Sequence, residues 1–170
     1  MYRRSFLPAL AVMCAAMLLA ACGSSPKQPV AERPHSERGR EVVIFALSLM
    51  DTGYRFGGKN PEAGLDCSGM VAYIFERAAG LRVKGSAADI AKLGRPVEKE
   101  FLVPGDLVFF NTTSGLSRAL STSNFSHVGI YIGDGRFIHA PSSASGRVRI
   151  DPLASSYFAP RFTAGRSYFD

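Results

Sequence analysis

The stretch Ser126-His127-Val128-Gly129-Ile130-Tyr131-Ile132-Gly133-Asp134-Gly135-Arg136-Phe137-Ile138-His139-Ala140 decides how this chain is read. Val128, Ile130 and Ile132 recur at every second position, as a half-buried strand requires. Gly133-Asp134-Gly135 is turn chemistry, and Arg136 to Ala140 reads as the returning strand. If the turn is a three-residue loop, Ile132 pairs with Arg136 and His139 faces Gly129. His127 is then a diagonal neighbour of His139 on one face, with Cα atoms ~7–8 Å apart. Gly129 leaves space for the two rings to meet. A loop of two or four residues would send the histidines to opposite faces.

A helix precedes this hairpin. Cys67 to Ala79 carries Met70, Val71, Ile74, Phe75 and Ala78 at i, i+3/i+4 spacing, with Asp66 placed to cap its start and Gly80 to stop it. Cys67 therefore falls in the first turn, where free backbone N–H groups and the positive end of the dipole favour a thiolate. Gly69 lowers helix propensity where alanine would raise it. It is expected to let a substrate approach the sulfur closely. Asp66 works against a neighbouring thiolate, so its carboxylate should turn to the helix cap or to substrate.

Other elements follow by the same reasoning. Glu41 to Met50 is apolar almost all round, a buried helix ended by Asp51-Thr52-Gly53. Ser86 and Asp89 begin a short helix with a capping box, ending at Gly94. Pro104-Gly105 turns into a strand over Asp106 to Phe110, and the Ser/Thr-rich run from Asn111 to Ser126 reads as a surface loop. Helices first and antiparallel strands after them predict an α+β domain from residue 41 to residue 170.

The first 40 residues differ in kind. Arg3 and Arg4 precede an apolar run from Phe6 to Ala21, interrupted by Pro8 and short for a membrane span. Leu19-Ala20-Ala21-Cys22, followed by Gly23, resembles a bacterial lipobox. That likeness implies a signal peptide over 1–21, acyl chains on Cys22, and a lipid membrane as partner through them. Several chains anchor stably where one is marginal. The absence of Asp at position 23 leans towards the periplasmic face of an outer membrane. Residues 22–40 are polar, contain three prolines and read as a tether. His35 has no assigned role.

Composition narrows the functions. The chain of 170 residues has 17 Gly, 10 Pro and no Trp, which excludes a coiled coil and suits a turn-rich domain. Its formal charge is +6, but from residue 41 onward 14 Lys and Arg meet 12 Asp and Glu. So small an excess is no nucleic-acid footprint. Of three cysteines, Cys14 leaves with the signal peptide and Cys22 is lipidated, so Cys67 alone stays a free thiol in an oxidising compartment. His127 and His139 are the only histidines from residue 41 onward. A thiol nucleophile, a base and a group that orients the base form an acyl-transfer set. Two strand histidines satisfied locally, or a zinc ion on Cys67 and both histidines, are the rival readings.

Asp66-Cys67-Ser68-Gly69, the run from Ser126 to Gly133, and Phe137-Ile138-His139-Ala140 together resemble the motifs of the NlpC family of cell-wall cysteine peptidases, over roughly Ala46 to Tyr168. The resemblance implies a papain-like fold, with N-terminal helices on a central antiparallel sheet, and no cofactor or metal. It implies Cys67 as nucleophile, His127 as base and acid, and His139 as the orienting residue. Tyr54 with Gly57-Gly58 matches an upstream Tyr-x-x-Gly-Gly pattern, so Tyr54 would help form the oxyanion site. Asp66 and Ser68 would contact the substrate, a peptidoglycan stem peptide. The bond cut would be D-alanyl–diaminopimelate, towards which the likeness to short lipoproteins leans, or γ-D-glutamyl–diaminopimelate. A catalytically silent wall-binding lipoprotein and a Cys/His amidase or acyltransferase are the alternatives. Lys84-Gly85-Ser86 and the long 111–126 loop depart from the usual pattern. Because the tether separates anchor from chemistry, Cys22→Ala is expected to keep full activity on isolated muropeptides while leaving the membrane fraction. Fractionation and a soluble assay check the two halves separately.

Overall fold

A computed structural model describes residues 33–113, 115, 123–142 and 146–169. The expected signal peptide, Cys22 and the tether as far as residue 32 lie outside the described residues, as do positions 114 and 116–122 of the 111–126 loop.

The first helix, α1 (Glu37–Ser48), begins four residues before the sequence boundary between tether and domain. Ser36 caps it, its hydroxyl accepting from the Gly39 N–H at 2.8 Å. Arg33 is already seated on the body, ion-paired to buried Asp106 and donating to the Phe101 carbonyl at 2.9 Å. The tether reading of residues 33–40 is therefore corrected: a cap and a buried charge pair tie this stretch down. Nor is α1 buried all round. Gly39, Val42 and Ala46 face inward, whereas Ile44 is 68% exposed.

A small hairpin of β1 (Lys59–Asn60) and β2 (Gly64–Leu65) leads into α2 (Cys67–Ala79), which has the predicted bounds. Asp66 caps α2 and Gly80 ends it in the left-handed conformation, at φ 66°. The short α3 (Ala87–Ile90) starts with both halves of the predicted capping box. The remaining strands are β3 (Arg95–Val97), β4 (Leu107–Phe110), β5 (His127–Gly133), β6 (Arg136–His139), β7 (Arg149–Pro152) and β8 (Phe162–Ser167). They form one antiparallel sheet in the order β3-β8-β4-β5-β6-β7.

Both faces of this sheet are covered. On one, Met70, Val71, Ile74 and Phe75 of α2 pack with Leu107, Phe109, Val128 and Ile130. On the other, Val108, Phe110 and Phe137 gather with Leu153 and Phe158. That division explains why Leu107-Val108-Phe109-Phe110 is apolar without alternation.

The β5–β6 turn differs from the expected loop. Gly133 pairs with Arg136, which leaves a two-residue turn of Asp134 and Gly135, both at positive φ (51° and 66°). Taken alone, that turn would put the histidines on opposite faces. A bulge between Tyr131 and Gly133 absorbs one residue, and Tyr131 faces Phe137 while Ile130 faces Ile138. The register expected for the body of the hairpin is thus reached by another route.

Gly69 serves packing, contrary to the expectation that it admits substrate. A Cβ there would lie 2.0 Å from the Gly58 carbonyl oxygen, so the Tyr54–Gly58 loop lies directly on the first turn of α2. Although alanine is the better helix former by ~1 kcal/mol, Gly69→Ala is expected to destabilise the domain by about 1–3 kcal/mol through that overlap. The shift of the urea midpoint measures it.

Candidate active site

The Tyr54–Gly58 loop, the start of α2 and the β5–β6–β7 face meet at one place. Asp66 builds its near wall. One carboxylate oxygen accepts from the Gly69 N–H at 2.6 Å and the Ser68 hydroxyl at 3.0 Å, and the other accepts from the Gly57 N–H at 2.9 Å. The carboxylate is thus engaged in capping α2 and in clamping the loop to it. Ser68 is tied to Asp66, and both line a hollow that also holds Lys59, Tyr73 and Lys84.

Cys67 is half-buried at the head of α2. The backbone N–H groups of Val128, Ser68 and Cys67 itself stabilise its ionised sulfur. Burial is the larger effect, and with the Asp66 charge it pushes the thiol up from its ordinary value. The helix N–H groups do favour the thiolate, but desolvation outweighs them. The Val128 contact sets the sulfur at the beginning of β5, beside the residue that follows His127. Tyr54 is close enough for the charges of Cys67 and Asp66 to act on its phenol, whose pKa is raised by burial first and by those two charges after it.

His127 and His139 do share a face of the sheet, and they touch. His127 Nε2 lies 2.7 Å from His139 Nδ1, the rings meeting edge to face. Gly129 makes this contact feasible, since a Cβ there would fall 3.2 Å from that of His139 and 2.6 Å from the Phe137 ring. His139 in turn reaches Asp151, with Nε2 2.8 Å from Oδ2. Arg149 Nε donates to the same carboxylate oxygen at 2.7 Å. Across β6 and β7, His139 pairs with Arg149 and Phe137 with Asp151, which puts all four side chains on one face.

This line of contacts fixes the protons. A carboxylate only accepts, so His139 carries its proton on Nε2 and offers the Nδ1 lone pair. His127 then donates through Nε2, and its own Nδ1 is left as the basic nitrogen. Both nitrogens at the 2.7 Å contact are spent on each other, and no group of three or more His, Cys, Asp and Glu among the described residues is arranged to hold a metal. His139 has both ring nitrogens engaged, Nδ1 with His127 and Nε2 with Asp151.

Burial among Phe110, Phe137 and Phe158 sets the electrostatics. It pushes His127 down to about 3, helped by His139 and opposed by Asp151. His139 is lowered too, by burial first, against the pull of Asp151. Cys67, His127 and His139 therefore rest together in their neutral forms.

Sequence reasoning missed Asp151 and Arg149. Their signal was faint: an acid and a base two residues apart, after the Ser-rich segment that follows His139. It becomes legible only once β7 is known to pair with β6.

A family model described as "NlpC/P60 family" matches residues 51–167. The chain belongs to the NlpC/P60 family. It is 38% identical over 127 residues to the gamma-DL-glutamyl hydrolase of Bacillus subtilis, covering 75% of this chain and 29% of that protein. It is 35% identical over 115 residues to the murein DD-endopeptidase MepH of Escherichia coli, covering 66% of this chain and 40% of that one. It thus spans less than half of either relative. With the probable endopeptidase NlpC of Escherichia coli the identity is 32% over 161 residues, covering 91% of this chain and 96% of the other. The crystal structure of the NlpC/p60 domain of the peptidoglycan hydrolase SagA superposes with a TM-score of 0.62 at 28% identity, over 76% of this chain and 97% of that one. The papain-like α+β fold expected from the motifs is the fold observed.

The neutral histidines carry a pH signature. Unfolded histidine binds a proton near pH ~6.5, whereas buried His127 and His139 do not. Acid therefore favours the unfolded chain, and stability is lost as pH falls from about 6.5 towards the His127 value of about 3. His127→Gln removes one such proton and keeps a donor for His139. Its melting temperature is expected to fall less steeply over that range than that of the unaltered protein. Equal slopes would mean that His127 is not held neutral.

Proposed function

We propose that this chain is a cysteine endopeptidase of the bacterial cell wall, hydrolysing an amide bond in peptidoglycan stem peptides or their cross-links. The observation that carries the reading is the line from Asp151 through His139 to His127 at the start of β5, where the N–H of the next residue, Val128, meets the Cys67 sulfur at the head of α2. The names of the relatives support the substrate class.

In the mechanism we propose, Cys67 is the nucleophile and His127 the base. His127 Nδ1 takes the thiol proton as the sulfur attacks the amide carbonyl. The proton moves within the buried pair, so the pair gains no net charge. This suits a site that holds both groups neutral at rest. Negative charge then collects on the former carbonyl oxygen, where the Cys67 N–H and the Tyr54 hydroxyl can meet it. His127 returns the proton to the amine as the carbon–nitrogen bond breaks, leaving a thioester on Cys67. Water, deprotonated by His127, attacks the thioester, and the thiol is restored as the acid product departs. His139 and Asp151 hold the His127 ring and its tautomer throughout. Asp66 and Ser68 border the acyl side and contact substrate only at its edge, since Asp66 is spent on the helix cap.

Both candidate bonds are retained, because gamma-DL-glutamyl hydrolase and murein DD-endopeptidase stand side by side among the relatives. We place the domain outside the cytoplasm, held to a lipid surface through Cys22. Its lipobox-like sequence supports that placement.

Purified sacculi and soluble muropeptides incubated with the protein should yield new termini, and mass spectrometry of the products assigns the bond. Cys67→Ser is expected to keep its circular dichroism spectrum and lose hydrolysis, because an alkoxide is far harder to form than a thiolate. Turnover retained by that variant would remove Cys67 as nucleophile. Absence of any cleavage by the unaltered protein would favour a silent wall-binding role.

A further inference from the structure

Two hollows flank the reacting groups, and they differ in chemistry. The one beside the head of α2 has a volume of about 390 Å³ and is bordered by Asp66, Ser68 and Gly69. The other, about 220 Å³, lies on the histidine side, bordered by Thr112, His127, His139, Arg149, Tyr157 and Phe158. In the mechanism above, the amine leaves with a proton taken from His127. The departing half of the substrate must therefore lie on the His127 side of the sulfur. Of the two hollows, the smaller is the one that His127 borders.

We propose that this hollow is a subsite for an anionic leaving residue, with Arg149 binding its carboxylate. The inference rests on the endopeptidase reading and adds to it the chemistry of the leaving group.

No Asp or Glu borders the hollow among its described residues. The Arg149 side chain is 45% exposed, and its bond to Asp151 uses Nε. The shared Asp151 oxygen ties the guanidinium, through Nε, to the same carboxylate that holds His139. A planar fork anchored on one edge is well suited to a bidentate carboxylate contact. Tyr157, on the border of the hollow, carries the Arg161 guanidinium over its ring at 4.2 Å. The hollow is thus partly apolar, with Arg149 the one cation on its described border.

The candidate substrates fit this chemistry. In both, the leaving amine belongs to diaminopimelate, a residue with two carboxyl groups. In the D-alanyl bond a carboxylate sits on the carbon that bears the leaving amine. In the γ-D-glutamyl bond the carboxylate at the second centre lies farther away. One guanidinium at the edge of the hollow serves either, at different reach.

The test pairs each substrate with its amide. Cross-linked muropeptides and γ-D-glutamyl–diaminopimelate peptides are prepared with the leaving residue's carboxylate either free or amidated, and kcat/KM is measured for each. The unaltered protein is expected to prefer the free carboxylate by about 10- to 100-fold, the range for a hydrogen bond between charged groups. Arg149→Gln should bring the ratio close to one, mainly by lowering kcat/KM for the carboxylate form. Arg149→Lys should keep part of the preference. The ratio is internal to each variant, so a loss of folded protein does not disturb it.

Equal cleavage of both forms by the unaltered protein would overturn the subsite and leave the endopeptidase reading intact. Equal loss on both forms in Arg149→Gln would also overturn it, since Arg149 would then act only through Asp151. Cleavage of neither form by the unaltered protein would instead count against the endopeptidase reading itself.

Discussion

The ladder in which Ile130 faces Ile138 and Tyr131 faces Phe137 holds the molecule's two halves in register. On one side of it, Val128 and Ile130 are buried against α2. On the other, His127 and His139 come within hydrogen-bond distance. A slip of one residue would exchange these faces. It would expose the aliphatic row and drive an imidazole into the helix-facing core. Core and site are therefore specified by the same pairing, and neither can be lost alone. The bulge before Gly133 is what makes a tight two-residue turn compatible with it.

The site is built from neutral groups that exchange one proton. Burial opposes charge on Cys67, His127 and His139 alike. The fixed charges, Asp151 and Arg149, sit one contact further out, where Asp151 is 21% exposed and the two are paired. Such an order is economical in desolvation, since an isolated buried ion costs several kcal/mol. It also gives direction. The acceptor-only carboxylate at the end of the line orients every proton between it and His127.

Close backbone contacts position the opposite wall. Gly69 lets the Tyr54 loop lie on α2, and Gly58 lets that loop close on Gly64, at distances that no side chain allows, while Asp66 joins loop and helix with both its oxygens. The residues of the Asp-Cys-Ser-Gly run divide the work: Asp66 and Gly69 hold architecture, and Cys67 is held by them. At the other end of the chain's order, Arg33 fastens the start of the described chain to Asp106, so the polypeptide enters the domain at a fixed point.

The sequence by itself determined the elements whose information is local. Asp66 and Gly80 bound α2 because capping acts within a turn, and the Ser86–Asp89 box did the same for α3. The alternation of Val128, Ile130 and Ile132 identified β5 and its buried face, whereas the bulge that brings His139 to the face of His127 had no local signal. Beta strands without such a pattern were not legible. No element is assigned to Phe162-Thr163-Ala164-Gly165-Arg166-Ser167, yet β8 sits between β3 and β4, because its ladder partners come from far along the chain. β7 was hidden for the same reason, and Asp151 and Arg149 with it. The start of α1 was misplaced because the charge pair that pins Arg33 spans 73 residues. The purpose of Gly69 depended on the Gly58 carbonyl, and the state of Cys67 on how much water the assembled fold excludes. Burial and nonlocal pairing exist only after the chain closes on itself, so only the tertiary structure could decide them.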